Sequence, residues 1–246
     1  MILAIDIGNT NINFALMKKI HKPDCKYVMA TDGGSLIKIL KGIKRKFTID
    51  KIIVVSVAPV ALKRVKNALK IVFKNKHILI VGKNIKVPIK CEYNMRQIGQ
   101  DRLVTAHAAK VLYGLPILVV DFGTAVTFDA VSGKGVYLGG LIVPGIKMSL
   151  LSLHDRTSML PRAHLMKIHS FIGKDTKSSI RNGMIYGYSA ICDGMISRFR
   201  KKIDKKIKVI ATGGDARLVA SYTSSIKKID SNLSIKGLYL LAQREL

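Results

Sequence analysis

The chain has 246 residues, 48% hydrophobic and 23% charged, with 42 Lys and Arg against 15 Asp and Glu, a formal net charge of +27. That much apolar material excludes disordered, collagen-like and low-complexity chains. No apolar run approaches the roughly 18 residues of a membrane span. The first residues, Met1 to Asp6, carry no basic region and meet a carboxylate early, which predicts a chain without a secretory leader. Ile2–Ile7 reads as a buried strand running into a Gly8-Asn9 turn, with a returning strand over Ile12 to Met17. Lys51–Val57 is a second buried strand. Pro59–Phe73 is a helix that sets Val65, Leu69 and Val72 against Lys63, Lys66 and Lys70. His77–Val81 predicts a short strand and Arg102–Tyr113 a helix ended by Gly114.

The next segment repeats the first. Ile117-Leu118-Val119-Val120-Asp121-Phe122-Gly123-Thr124 mirrors Ile2 to Thr10, and a second apolar stretch, Ala125 to Val131, follows it. Two related α/β domains are therefore expected, 1–114 and 115–246. Ser178–Ile203 predicts a long helix containing Gly183, Gly187 and Gly194. Each helical glycine costs about 1 kcal/mol, so close packing against another backbone is expected. Lys206–Ala211 predicts a strand entering Thr212-Gly213-Gly214-Asp215, then a helix. Met148, Met159 and Met166 read as packing residues and His107 as structural. The histidines show no zinc spacing. Cys25, Cys91 and Cys192 form neither a disulfide framework nor a metal pair, which fits a reducing cytosol.

In a chain this poor in acids, carboxylates beside glycine turns carry information: Asp6, Asp101, Asp121, Asp129 and Asp215. Burying such a group is costly unless it meets a cation or several donors. In Asp6-Ile7-Gly8-Asn9-Thr10-Asn11, backbone N–H groups and the Asn9, Thr10 and Asn11 side chains would hydrogen-bond phosphate oxygens, with Asp6 holding Mg²⁺. A plain hairpin also explains this string, and the repeat at Asp121 favours the phosphate reading. Gly213-Gly214 would let adenine lie on the backbone, or would be an ordinary strand–helix turn. No P-loop and no dinucleotide fingerprint is present. Asp101 is either a helix N-cap or a base for an alcohol nucleophile, with Arg102 beside it to bind an acidic substrate. The spread of lysines favours a solvated basic surface over a dedicated nucleic-acid face.

The paired Asp-x-Gly-Thr turns with Gly-Gly-Asp resemble the actin, Hsp70 and sugar-kinase superfamily. Gly99-Gln100-Asp101-Arg102, then Asp121-Phe122-Gly123-Thr124-Ala125-Val126-Thr127, then Gly139-Gly140-Leu141-Ile142-Val143-Pro144-Gly145, resemble type III pantothenate kinase, and Leu233 to Leu238 continue the match. The resemblance implies two duplicated actin-like (ribonuclease H-like) domains with a nucleotide cleft between them. It implies ATP-dependent phosphorylation of pantothenate to 4'-phosphopantothenate, the first step of coenzyme A synthesis. Asp6, Ile7, Gly8, Asn9, Thr10, Asn11, Ile12 and Asn13 would form the ATP phosphate loop, with Asp6 near Mg²⁺. Thr124 would touch ATP, as would Gly213 and Gly214, and Asp121 would hold K⁺ or ammonium. Gly99, Gln100, Asp101 and Arg102 would contact pantothenate, with Asp101 the catalytic base. Tyr93 and Thr176 would also touch this substrate. Tyr93 stands six residues before Gly99 where seven is usual, and Asp175 stands where Asn is usual. A cytoplasmic homodimer through the glycine-bearing helix is implied, with no membrane or nucleic-acid partner. Two other readings remain: a regulatory, nucleic-acid-binding protein resembling the Bvg accessory factor, and an actin-like kinase for another small acid.

Overall fold

The structure is a computed structural model that describes residues 1–244. It divides into two packed units. The first comprises Met1–Ile89, Asn94–Ala108 and the chain from Asn232 onward; the second comprises Lys90–Tyr93 and Ala109–Ser231. The units are thus not collinear with the chain.

The first unit is built on β1 (Ile2–Ile7), β2 (Asn11–Met17), β3 (Cys25–Ala30), β4 (Lys51–Ser56) and β5 (Ile78–Ile80), in sheet order β3-β2-β1-β4-β5. β1 and β2 are antiparallel, as are β2 and β3, while β4 runs parallel to both β1 and β5. The central β1 is apolar on both faces because helices cover a parallel core strand on each side. The edge strand β3 alternates instead, with Lys26 outward. Helices α1 (Leu36–Lys46) and α2 (Pro59–Val72) pack together, burying Leu40, Ile43, Val65 and Leu69 against Leu3, Ile5 and Phe14. α2 opens on Pro59, whose missing N–H costs nothing at a helix start.

The second unit repeats this plan. It contains β6 (Lys90–Cys91), β7 (Ile117–Phe122), β8 (Ala125–Val131), β9 (Val136–Pro144), β10 (Lys208–Gly213) and β11 (Lys228–Ile229). The sheet order is β11-β10-β7-β8-β9-β6. Reading β7 to β11 as counterparts of β1 to β5 gives the same order and the same parallel and antiparallel pairings, with β6 added beside β9. The internal repeat in the sequence is a duplicated sheet. Helices α4 (Ile146–Asp155), α5 (Thr176–Lys202) and α6 (Ala216–Ala220) belong to this unit, and Phe128, Tyr188, Cys192 and Ile196 fill its core. Burial pushes the Cys192 thiol up to about 12, so this cysteine is packing material and not a nucleophile.

The two remaining helices are α3 (Gln100–Tyr113), whose first part lies in the first unit, and α7 (Leu233–Gln243), which packs on β1 and β4. Gly237 allows a flush contact, since a Cβ there would lie 2.6 Å from the Val104 side chain and from its carbonyl oxygen. The strand expected over 206–211 is shifted, because Thr212 and Gly213 pair with Asp121 and Phe122. Two packing expectations are not met among the described residues of this chain. A Cβ on Gly183, Gly187 or Gly194 would meet nothing within 4 Å among the described residues, so α5 presses no other backbone of this chain there. Met148, Met159 and Met166 are exposed rather than core: Met148 lies on α4, and Met159 and Met166 lie on the segment between α4 and α5. No described helix is long and apolar enough to cross a membrane.

Phe128 is fully buried and stacks on Phe199, with ring centroids 6.5 Å apart. Phe128→Ala is expected to destabilise the second unit by about 3–5 kcal/mol, read as a lowered urea midpoint by circular dichroism.

Candidate active site

Asp6 is the fifth residue of β1, opposite Asn13 on β2, and Ile7 pairs with Ile12. The turn between them is tight: the Gly8 N–H donates to the Asn11 carbonyl oxygen at 2.9 Å. A Cβ on Gly8 would fall 3.3 Å from that oxygen. The end of β3 pins the turn, with Thr31 Oγ1 donating to the Gly8 oxygen at 2.8 Å and the Thr31 N–H to the Thr10 oxygen at 2.9 Å. Asn9, Thr10 and Asn11 are exposed and Gly8 and Asn13 half-buried, whereas the Ile7 and Ile12 side chains are core. A ligand at this turn would meet polar side chains and main chain, and would reach Ile7 and Ile12 only through their backbones.

Asp6 itself is half-buried, and its carboxyl is raised to about 6. Burial is the largest cause; repulsion from Asp101 adds to it, and a hydrogen bond from Ser234 opposes it. Ser234 Oγ donates to Asp6 Oδ2 at 2.6 Å. Asp101 stands in the first turn of α3, which begins at Gln100, two residues before the expected start. It is therefore one residue inside the helix rather than its cap. Its Oδ1 accepts the Arg102 N–H at 2.8 Å. A Cβ on Gly99 would lie 2.5 Å from that same oxygen, so glycine is what allows this carboxylate its position. Gln100 lies over Gly82, whose φ of +80° and lack of a Cβ make the space. The first unit thus brings two carboxylates within range of mutual repulsion, with a polar turn following Asp6 and Arg102 following Asp101 in the chain. No group of three or more acidic, cysteine or histidine side chains among the described residues would enclose a metal alone. Asp6, half-buried beside a second acid, suits a Mg²⁺ whose other ligands are phosphate oxygens and water.

In the second unit Asp121 is the fifth residue of β7, and Thr124 is exposed on the following turn. Two glycines frame this turn. A Cβ on Gly213, with φ +92°, would fall 2.5 Å from the Phe122 oxygen and 2.6 Å from Asp121 Oδ1. A Cβ on Gly145 would collide with the Thr124 carbonyl, to which the Gly145 N–H donates at 3.0 Å. Asp215, just after Gly214, pairs with Lys147 at 2.9 Å, at the rim of a cavity of about 380 Å³ lined by Leu150, Leu151, Arg162 and His164. Tyr93 meets Tyr137 edge-on, centroids 6.4 Å apart, and rests on Gly139, where a Cβ would fall 3.1 Å from its ring. Tyr137 is buried and donates to Asp129 Oδ1 at 2.5 Å. Thr176 opens α5, and Asp175 is its N-cap, accepting the Ser178 N–H at 2.9 Å. Asp caps a helix as well as Asn does, so the departure at 175 is locally neutral.

Sequence reasoning missed Ser234, the Gly145 contact and the Gly139–Tyr137 seat of Tyr93. Gly139 and Gly145 carried a signal, as glycines in a motif. Ser234 stood only within the Leu233–Leu238 string, and no spacing announces its partner 228 residues away.

Because Asp6 titrates higher folded than unfolded, the folded chain holds an extra proton between about pH 4 and 6. Stability from this group is full below that window and is lost as pH rises through about 6. Asp6→Asn is therefore expected to stabilise the chain by on the order of 2 kcal/mol at pH 8, and not at pH 4. A thermal-unfolding series over that pH range checks it; equal melting temperatures at pH 8 would contradict it.

The chain has solved structural neighbours over nearly its whole length. One is a protein from Campylobacter jejuni assigned to the Baf family of transcriptional activators, 22% identical, TM-score 0.62, covering 99% of this chain and 98% of that one. Another is the activator of 2-hydroxyisocaproyl-CoA dehydratase from Clostridium difficile with bound ADPNP, 12% identical, TM-score 0.56, covering 99% and 97%. A third is the inorganic polyphosphate/ATP-glucomannokinase from Arthrobacter sp. strain KM, 14% identical, TM-score 0.52, covering 99% and 98%. These likenesses establish the fold, the actin-like ATPase and sugar-kinase architecture. Residues 2–198 match the family model of type III pantothenate kinase, a stretch that holds Asp6, Asp101 and Asp121, and the chain belongs to that family of phosphotransferases.

Proposed function

We propose that this protein phosphorylates pantothenate on its primary alcohol with ATP, giving 4'-phosphopantothenate and ADP, with Asp101 as the base. The observation that carries the reading is the placement of Asp101: first turn of α3, Gly99 clearing space for its carboxylate, Arg102 next to it, and Asp6 close enough for the two charges to repel. A neutral alcohol is a weak nucleophile, and a positioned carboxylate takes its proton as the new P–O bond forms. The Arg102 guanidinium suits the carboxylate of an acidic substrate. Tyr93 and Thr176 would complete the substrate contacts. The turn from Asp6 to Asn13 would hold the ATP phosphates, with Thr124 and Gly213-Gly214 as further nucleotide contacts. Asp6 would hold Mg²⁺, which neutralises phosphate charge during transfer.

Asp121 is the candidate for K⁺ or ammonium. Its support is a carboxylate oxygen and the Phe122 carbonyl set over Gly213, where no side chain intrudes. A homodimer through α5 is supported by the open space over Gly183 and Gly187, which a second backbone would fill. We read the enzyme as cytoplasmic, and its three unpaired cysteines fit a reducing compartment.

The test is a panel of small alcohols and acids assayed with ATP and Mg²⁺. Pantothenate should give the highest kcat/KM; turnover of a different acid in preference would replace the substrate, and no turnover with a sequence-specific DNA footprint that survives physiological salt would favour the regulatory reading. Asp101→Asn should cut kcat by roughly 10²–10⁴-fold with ATP binding intact. An unchanged kcat would remove the base. Replacing K⁺ by Na⁺ should abolish most of the activity, and equal rates in the two salts would take the cation away from Asp121.

A further inference from the structure

We propose that Ser234 is a positioning residue for phosphoryl transfer: its hydroxyl fixes the Asp6 carboxylate, and the seating of α7 on α3 through Gly237 keeps that carboxylate in register with Asp101. This rests on the reading of Asp6 as the carboxylate that holds the divalent cation. The contact is short, 2.6 Å from Ser234 Oγ to Asp6 Oδ2, as expected for a hydroxyl donating to an ionised oxygen. Ser234 is the second residue of α7, where a serine side chain ordinarily competes for backbone groups of its own helix. Here it reaches across to β1 instead.

One face of α7 serves both carboxylates. Gly237 lies three residues after Ser234, on the same helical face. It touches Val104, which lies three residues after Asp101 on α3. The pair Ser234 and Gly237 therefore meets Asp6 on one side and the Asp101-bearing face of α3 on the other. A Cβ at 237 would lie 2.6 Å from the Val104 oxygen and force the helices apart. Locking a carboxylate that must meet a cation removes the entropy of ordering it on binding, which is the use of a supporting hydrogen bond behind a ligand group. Ser234 lies beyond residues 2–198, the part matched by the family model, and its contact with Asp6 carries its role.

The experiment compares Ser234→Ala, Ser234→Thr and Gly237→Ala with the wild type. Mn²⁺ binding is titrated by electron paramagnetic resonance with a non-hydrolysable ATP analogue present, alongside the Mg²⁺ concentration for half-maximal rate, KM for pantothenate and melting temperature. Ser234→Ala should weaken Mn²⁺ binding and raise the Mg²⁺ requirement about 5–10-fold, with KM for pantothenate within about twofold of wild type. Ser234→Thr, which keeps the hydroxyl, should restore both, and Gly237→Ala should reproduce the alanine defect. Ser234→Cys, nearly isosteric and a poor donor, carries the same expectation should the alanine variant not fold. Wild-type Mn²⁺ affinity in a folded Ser234→Ala or Ser234→Cys variant, with only the melting temperature lowered, would overturn the proposal. If the wild type turns over no pantothenate, the substrate reading fails on its own, and the Mn²⁺ titration still decides the role of Ser234.

Discussion

A half-buried carboxylate opposed by a second acid governs the first unit. Asp6 sits near the end of a strand that is apolar on both faces, with a second acid, Asp101, close enough to repel it. In a low-dielectric setting such a charge is costly, and its carboxyl is accordingly pushed up to about 6. One hydroxyl, that of Ser234, is a poor match for a full charge. The remaining deficit is what a cation with phosphate ligands would supply. A carboxylate held in such surroundings at the cost of stability is a pattern found at functional sites.

The duplicated architecture sharpens the point. β1 and β7 have the same burial pattern, and each carries its aspartate at the fifth of six positions. The burial patterns of the returning strands β2 and β8 differ only at the first residue. Equivalent backbone positions then receive different surroundings. Asp6 lies under α7 and meets Ser234, while Asp121 lies over Gly213, a glycine whose φ of +92° no ordinary side chain would tolerate well. One carboxylate is enclosed beside another acid and the other is framed by carbonyls and bare backbone. Duplication supplies the scaffold, and the elements packed on each copy decide the chemistry.

The short strings were the most legible part of the site. Asp6, Gly8, Asp121 and Gly123 announce strand–turn–strand units because apolar runs, glycine and a polar cap are local signals. Gly99 and Asp101 were legible as a pair, and the structure gives the reason: a side chain at 99 would strike the Asp101 carboxylate. The glycines of α5 show where pattern reasoning stops. A helical glycine says that something is unusual, not what covers it, and among the described residues nothing does at 183, 187 or 194. The exposed Met159 makes the same point for hydrophobicity, since composition cannot tell a core methionine from one on a surface segment.

By itself the sequence determined the α/β class, the duplication, the helix carrying Asp101 and the acids beside glycines, because periodicity and turn chemistry act over a few residues. Only the tertiary structure decided that the last helix joins the first unit, that Ser234 meets Asp6, and that Gly145 and Gly213 frame the Asp121 turn. Those contacts join residues up to 228 positions apart. They depend on how helices seat on sheets, a matter of volume and close approach for which a linear chain carries no local sign.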